Sequence, residues 1–329
     1  MVVDAIATPT PVIVGSGRSG TTWVQDALAQ ANGYATAFEP LHPDAEPATA
    51  AYAGRYLRAE DDCAELKFFL EQVFSGQLRD RWITCRVRPD RLTFRMHLLS
   101  DPRAAYEWWS RWKKLTRHYI RYRRDRGKPI LAKFIRANLM LPWLVRHLNV
   151  RVAAIVRHPG AVVESKLRLG GDDWKPGAVI ERYRNQDSLS ADLLRDYGEI
   201  MHERLTPAGE HALIWCIENK LLMEQAAEWG IVVGYYEDLL DAPNEDAWWS
   251  LVKGLGLKNI PGAVLRRSAS QQASQVSTAQ GYNSDHCGAW QSRLSQIQLD
   301  EIQRVLNSFD IEQYSMNSMF PCRRSLDQS

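Results

Sequence analysis

The sequence lacks the patterns that would place it outside ordinary globular proteins. Its five cysteines among 329 residues show no CxxC or Cys/His spacing, which argues against a zinc site and against a disulfide framework. No apolar run reaches the roughly 18 residues that a membrane-spanning helix needs, and the N-terminus has no basic-then-apolar signal. Internal repeats and low-complexity tails are also missing. We therefore expect a soluble, cytoplasmic protein in a reducing compartment.

A strong net charge is missing too, because the chain carries only +2 at pH 7. The charges are nevertheless unevenly distributed: lysine and arginine outnumber acidic residues between 81 and 158, whereas 172–260 is acidic. A basic half indicates an anionic ligand, an anionic acceptor or contact with a membrane surface. We expect no nucleic-acid partner and no membrane span, while peripheral membrane contact and the oligomeric state stay open.

Predicted strands and helices alternate over much of the chain. Short apolar runs predict strands at 11–14, 34–38, 130–134, 150–156 and 231–236. Helical spacing predicts helices at 21–31, 63–74, 104–124, 139–148, 210–229, 247–254 and 299–308, and after residue 160 up to about 169. This alternation favours a P-loop-like three-layer α/β fold, with a central parallel sheet and helices on both faces. We expect a single domain over 1–329, with a helical insertion or cap at about 50–128.

A glycine-rich turn follows the first predicted strand. Gly15-Ser-Gly-Arg-Ser-Gly-Thr-Thr22 has the glycine spacing of a phosphate-binding loop, whose backbone N–H groups and helix N-terminus hold a phosphate. Thr22 stands where a P-loop nucleotidase has its magnesium-binding hydroxyl, but Thr21 replaces the lysine that reaches the β- and γ-phosphates. Arg18 places a fixed cation inside the loop instead. The loop therefore predicts a phosphate or sulfate ligand without a γ-phosphate.

The segment Arg18-Ser-Gly-Thr-Thr-Trp23 resembles the 5′-phosphosulfate motif of sulfotransferases that use 3′-phosphoadenosine-5′-phosphosulfate (PAPS). Many cytosolic members have lysine where this chain has Arg18, whereas carbohydrate- and tyrosine-directed members often have arginine, so the resemblance favours that branch. Trp23 is similar to the tryptophan that stacks on the adenine base. The resemblance implies cofactor contacts by Gly17, Arg18, Ser19, Gly20, Thr21, Thr22 and Trp23.

Two further segments extend the resemblance. Arg157 ends a predicted strand and Ser165 follows eight residues later, which is the separation of arginine and serine in the family's 3′-phosphate motif. Arginine offers a planar fork to phosphate oxygens, and serine adds a short neutral donor. Tyr236, in Tyr-Tyr-Glu-Asp, resembles the tyrosine that contacts adenine. The Arg-Lys-Gly loop of many cytosolic members is missing, and whether the 266–287 loop replaces it stays open.

The resemblance implies in-line transfer of the sulfuryl group from PAPS to an acceptor hydroxyl or amine, with 3′-phosphoadenosine-5′-phosphate (PAP) as product. Arg18 is the candidate that neutralises charge on the leaving group. Glu39 is the candidate general base. The predicted helix carries the chain about 16 Å away from the phosphates, and the next strand brings it back at about 3.3 Å per residue. Glu39 should therefore lie level with Arg18.

Alternatives to each of these assignments stay open. Glu39 would have a purely structural role if it only orders the turn before Pro40 or pairs with Arg18, and His42 and His97 are rival bases. A P-loop small-molecule kinase would use ATP and magnesium, although the loop lysine is missing. A non-catalytic nucleotide-binding module would explain the loop but not a positioned carboxylate. No metal site is predicted, and the acceptor class is small-molecule, glycan or lipid-linked.

Overall fold

The computed structural model of the protein describes residues 8–43, 47–77, 109, 125, 127–170, 175–241, 245–262 and 287–322. Most of the insertion predicted at 50–128, and nearly all of the 266–287 loop, lie outside these residues. So does His97, one of the rival bases.

Five parallel strands form one sheet. They are β1 (Thr10–Val14), β2 (Ala35–Ala37), β3 (Ile130–Phe134), β4 (Val150–Val156) and β5 (Val232–Tyr235). Their order across the sheet is β2-β3-β1-β4-β5, and each neighbouring pair is parallel. In the centre, Val12 of β1 lies opposite Ala132 on one side and Val152 on the other. The predicted parallel sheet is confirmed, and its strands all end at the same edge.

Helices connect and cover the strands. In chain order they are α1 (Thr21–Asn32), α2 (Ala64–Phe74), α3 (Leu141–His147), α4 (Pro159–Leu169), α5 (Pro176–Arg184), α6 (Asp187–Asp192), α7 (Gly198–His202), α8 (Pro207–Gln225), α9 (Tyr236–Leu240), α10 (Glu245–Gly254), α11 (Ala289–Arg293) and α12 (Gln296–Ser308). Short 3₁₀ helices occupy Pro47–Tyr52 and Leu194–Tyr197. Among the described helices, none has the length and apolar character needed to cross a bilayer.

Successive residues of the strands point to opposite faces of the sheet, and each face has its own core. Ile13 of β1 belongs to a cluster that includes Trp23 of α1 and Trp248 of α10. Val12 and Val14 belong to a larger cluster with residues of α2, α3, α4, α8 and α12. The predicted three-layer α/β arrangement, with helices on both faces, is therefore confirmed.

The helix predicted at 210–229 is observed as α8, with other bounds. It begins earlier, at Pro207, because the Thr206 side chain accepts a hydrogen bond from the N–H of Gly209 and caps the first turn. It is also not amphipathic, since nearly every residue from 208 to 222 is buried. α8 packs against α3, α4, α5 and α12, so little of its surface faces water.

Other predicted bounds shift for reasons of pairing or polarity. β5 ends at Tyr235 rather than at Tyr236, because Val156, its partner on β4, is the last residue of that strand. Tyr236 instead begins α9. No element was predicted for α5, α6 and α7, since α5 buries only Ile180 and Tyr183 and shows too few apolar positions for a helical period.

Candidate active site

Each of the five strands leads, at its carboxyl end, to a loop or residue that lies near the candidate site. β1 runs into the loop at 15–20, β2 leads to Glu39, β3 to Arg136, β4 to Arg157 and β5 to Tyr236. Ligands of open α/β sheets bind at the carboxyl ends of the strands. The loop and Arg157 lie at the same edge of the sheet, which is the arrangement that a single ligand site would need.

The loop at 15–20 depends on glycine at two positions. A Cβ atom on Gly15 would lie 2.4 Å from the carbonyl oxygen of Ile155, closer than any real contact. Gly20 has a φ of 84°, and a Cβ atom there would lie 2.2 Å from Cε2 of Tyr236. Gly20 is also the N-cap of α1, so its lack of a side chain leaves the helix N-terminus open to an anion.

Replacement of Gly20 by alanine is expected to destabilise the protein more than the same change at Gly33. Both have a positive φ, which costs a residue with a Cβ atom about 1–2 kcal/mol. A Cβ atom on Gly33 meets no described atom within 4 Å, whereas on Gly20 it meets the Tyr236 ring. The steric clash should add about 1–3 kcal/mol, measured by urea denaturation. Equal losses would show that the Tyr236 ring moves aside freely.

Arg18 joins the loop to Ser165 and Arg157, the residues of the predicted 3′-phosphate motif. Its φ of 77° lies in a region that residues other than glycine seldom adopt. Its Nε donates a hydrogen bond to Oγ of Ser165 at 2.9 Å, and its carbonyl oxygen accepts one from Nη1 of Arg157 at 3.0 Å. The backbone and the guanidinium of Arg18 are therefore held by both residues of the predicted 3′-phosphate motif.

The aromatic candidates lie beneath this group. The Arg157 guanidinium carbon lies 4.6 Å from the centroid of the Tyr236 ring, and that ring meets Trp23 edge-on, with centroids 5.5 Å apart. Trp23 and Tyr236 are both 5% exposed and belong to the core cluster of α1. Tyr236 therefore supports the Arg157 guanidinium, and Trp23 packs against Tyr236. The contact of these two rings with an adenine base stays a prediction.

Two buried donors at this edge have no hydrogen-bond partner among the described residues: Oγ of Ser19 and Nε of Arg157. Buried polar groups rarely lack a partner, and each one left unpaired costs about 1–3 kcal/mol. Gly17, Thr21 and Thr22 are buried around them. Each of these two atoms carries a hydrogen that it can donate to a ligand, as do the backbone N–H groups at the start of α1. The residues present therefore fit a ligand with phosphate or sulfate oxygens.

The turn that carries Arg157 is anchored by residues that the sequence did not single out. A carboxylate oxygen of Glu237 accepts a hydrogen bond from the N–H of His158, and the other accepts one from the Tyr314 hydroxyl, both at 2.9 Å. Burial raises the pKa of Glu237. Burial also lowers the pKa of His158 to about 4, so its imidazole, stacked on Trp290, is neutral near pH 7. The C-terminal segment thereby fixes the orientation of this turn.

Glu39 lies just past β2 with a φ of 81° and is 1% exposed. Its Oε2 lies 3.1 Å from Nζ of Lys133, and both carboxylate oxygens accept from the N–H of Ile135. Nη1 of Arg136 lies 3.6 Å from Oε1. The half-buried His42 donates its N–H to the Glu39 carbonyl oxygen. Glu39 thus orders the turn and forms a buried ion pair with Lys133, a partner that the sequence did not identify.

A cavity of about 300 Å³ borders the loop at Gly17. Its wall includes Arg136, which also contacts Glu39, and Lys166, the residue after Ser165. Gly17 of the loop, Lys166 beside Ser165, and Arg136 beside Glu39 therefore line one cavity.

The chain matches no protein-family model and no curated protein sequence. Two solved structures are similar to it. One is the sulfotransferase domain of the olefin synthase of Synechococcus PCC 7002, with 17% identity, a TM-score of 0.41, and coverage of 92% of this chain and 94% of that one. The other is the sulfotransferase domain from the curacin biosynthetic pathway, with 15% identity, a TM-score of 0.41, and coverage of 92% and 98%.

Proposed function

We propose that the protein is a PAPS-dependent sulfotransferase that transfers the sulfuryl group to an acceptor hydroxyl or amine. The observation that supports this most is the contact of Arg18 with both Ser165 and Arg157. A cation inside a phosphate loop, joined to a second phosphate motif, suits a nucleotide with phosphate groups at both its 5′ and 3′ positions. The resemblance to carbohydrate- and tyrosine-directed members, and the cytoplasmic location, belong to the same proposal.

The residues assigned to PAPS fall into three groups along the edge. The N–H groups of the loop and of the α1 N-terminus, with Ser19 and Arg18, would hold the 5′-phosphosulfate. Arg157 and Ser165 would hold the 3′-phosphate. Trp23 and Tyr236 would contact the adenine base. When bound, PAPS supplies an activated sulfuryl group, whose bond to the phosphate oxygen breaks as the bond to the acceptor forms.

Arg18 and Glu39 are the two residues of the chain that act directly in the proposed transfer. The Arg18 guanidinium, fixed by Ser165, neutralises the negative charge that develops on the leaving phosphate oxygen. A carboxylate oxygen of Glu39 takes the proton of the acceptor hydroxyl. Lys133 and the N–H of Ile135 keep that carboxylate in place.

Alanine substitution at Arg157 or at Ser165 is expected to weaken the binding of PAP more than that of adenosine 5′-phosphosulfate, which has no 3′-phosphate. A lost charge-assisted hydrogen bond costs about 1.5–3 kcal/mol. Because both side chains also contact Arg18, the readout is the difference between the two ligands, measured by calorimetry. Arg151→Ala, at the opposite end of β4, is the matched control. Equal losses for both ligands would reject the 3′-phosphate assignment.

Transfer of label from [³⁵S]PAPS into a cell extract tests the proposed activity. We expect a labelled product that forms only with the protein, and its identification names the acceptor. A parallel reaction with [γ-³²P]ATP and magnesium tests the kinase alternative. Label from ATP alone would contradict the proposal.

A further inference from the structure

The cavity that borders Gly17 has a mainly cationic wall. Among the described residues that line it, the charged side chains are four cations and one carboxylate: Arg136, Lys166, Lys175, Arg182 and Glu218. With a volume of about 300 Å³, it lies at the small end of the range for small-molecule pockets. Its charge suits a small ligand with at least one negative group.

Three atoms in this wall lack a hydrogen-bond partner within the described part of the chain. They are Nδ1 of His211, Oε2 of Glu218 and Nη1 of Arg136, whose 3.6 Å ion pair with Glu39 is too long for a hydrogen bond. His211 is 4% exposed and Glu218 is 8% exposed, so these atoms are withdrawn from bulk solvent. Since buried polar groups are normally paired, three such atoms on residues that line one cavity indicate a place where the polar groups of a ligand bind.

The neighbouring contacts hold these groups in position. The other oxygen of Glu218 accepts a hydrogen bond from the Tyr183 hydroxyl at 2.8 Å. Burial raises the pKa of Tyr183, so that hydroxyl stays protonated and keeps donating. Burial and the nearby Lys166 lower the pKa of His211 to about 4, so its imidazole is neutral near pH 7. Nη1 of Arg182 donates a hydrogen bond to the carbonyl oxygen of Ala53 at 3.0 Å.

We infer that this cavity binds the acceptor, and that the acceptor is a small hydroxylated molecule with a carboxylate or phosphate group. Nη1 of Arg136 binds the anionic group, Oε2 of Glu218 accepts a hydrogen bond from a hydroxyl of the same molecule, and His211 pairs with a further polar group. An apolar acceptor would leave these groups unpaired at a cost. The inference rests on the proposed function, because the reacting hydroxyl must reach the sulfuryl group that the loop around Gly17 and Arg18 would hold.

Two matched pairs of probes test this inference: 4-hydroxybenzoate with its methyl ester, and glucose 6-phosphate with glucose. Each is titrated into the protein saturated with PAP, and binding is followed by thermal denaturation. We expect an anionic probe to raise the Tm and its neutral counterpart to have little effect. Arg136→Gln should weaken the binding of the anionic probe about 10- to 150-fold, as expected for a lost charge-assisted hydrogen bond. Arg146 is an exposed arginine outside this wall. Its replacement, Arg146→Gln, should leave the binding of the anionic probe unchanged.

Arg182→Gln is a second variant of the wall, in case Arg136→Gln does not fold, and retained stabilisation by PAP shows that each variant is folded. The inference is overturned if neither anionic probe stabilises the PAP-bound protein, or if the neutral counterparts bind equally well. The inference is also overturned if the wall variants bind the anionic probes as tightly as Arg146→Gln does. Failure of PAP itself to stabilise the wild-type protein is a different result: it overturns the proposed function, and the acceptor role of the cavity with it.

Discussion

Replacement of Arg18 by alanine is expected to lower kcat by about 10²–10³-fold, the usual effect of removing a group that stabilises transition-state charge. PAP affinity should fall far less than kcat, because the Arg18 carbonyl oxygen remains to accept the hydrogen bond from Arg157, and the loop N–H groups are unchanged. Steady-state kinetics with the acceptor identified by label transfer gives kcat, and calorimetry gives the PAP affinity.

Arg18→Lys is the matched control for this prediction. It keeps a positive charge in the loop but loses the planar group that donates to Ser165. It should therefore retain more of kcat than the alanine variant. If the alanine variant loses PAP affinity and keeps kcat, Arg18 is a binding residue and the leaving-group role is wrong.

Glu39→Gln is expected to lower kcat by about 10²–10⁴-fold, the usual contribution of a general base, because the amide keeps the shape but cannot take a proton. PAP binding should be nearly intact. The measurements are the same kinetics and calorimetry. Near-normal kcat in this variant, with a loss in His42→Ala or His97→Ala, would give the role of base to a histidine.

Stability must be controlled in that experiment because Glu39 pairs with Lys133 in the core. Each of the two residues is 1% exposed, and removing one partner of a buried ion pair costs about 3–5 kcal/mol. The double variant Glu39→Gln/Lys133→Met removes both charges, so it should recover much of the stability lost in the single variant. Its turnover should stay low if Glu39 is the base. Recovery of turnover together with stability would show that Glu39 has only a structural role.

The sheet was predictable from the sequence because its strands are short apolar runs bounded by turn residues. The run before Gly15 and the one before Arg157 both became central strands. Parallel pairing then follows from the helices between them, and it places the ends of the strands at one edge. The loop, Arg157 and Glu39 could therefore be assigned to one site before their contacts were known.

The contacts within the site were less predictable, because they join residues far apart in the chain. The hydrogen bond from Arg18 to Ser165 spans 147 positions, and that from Lys133 to Glu39 spans 94. Nothing local to Lys133 shows that its ammonium group will be buried against a carboxylate. The composition of the cavity wall is harder still to predict from the sequence. His211 and Glu218 lie on α8, and the burial of that helix on nearly all sides depends on its neighbours.

Titration with PAP in the presence of a magnesium chelator, followed by thermal denaturation, tests the assignment of the loop most directly. A ligand that binds only the native state, present at about 100 times its Kd, raises the free energy of unfolding by about 2.7 kcal/mol. We expect a rise of this kind with PAP and a smaller one with ATP and magnesium. A non-catalytic module would also respond to PAP but would transfer no label. Stabilisation by ATP with magnesium, without any by PAP, would contradict the assignment and favour a kinase.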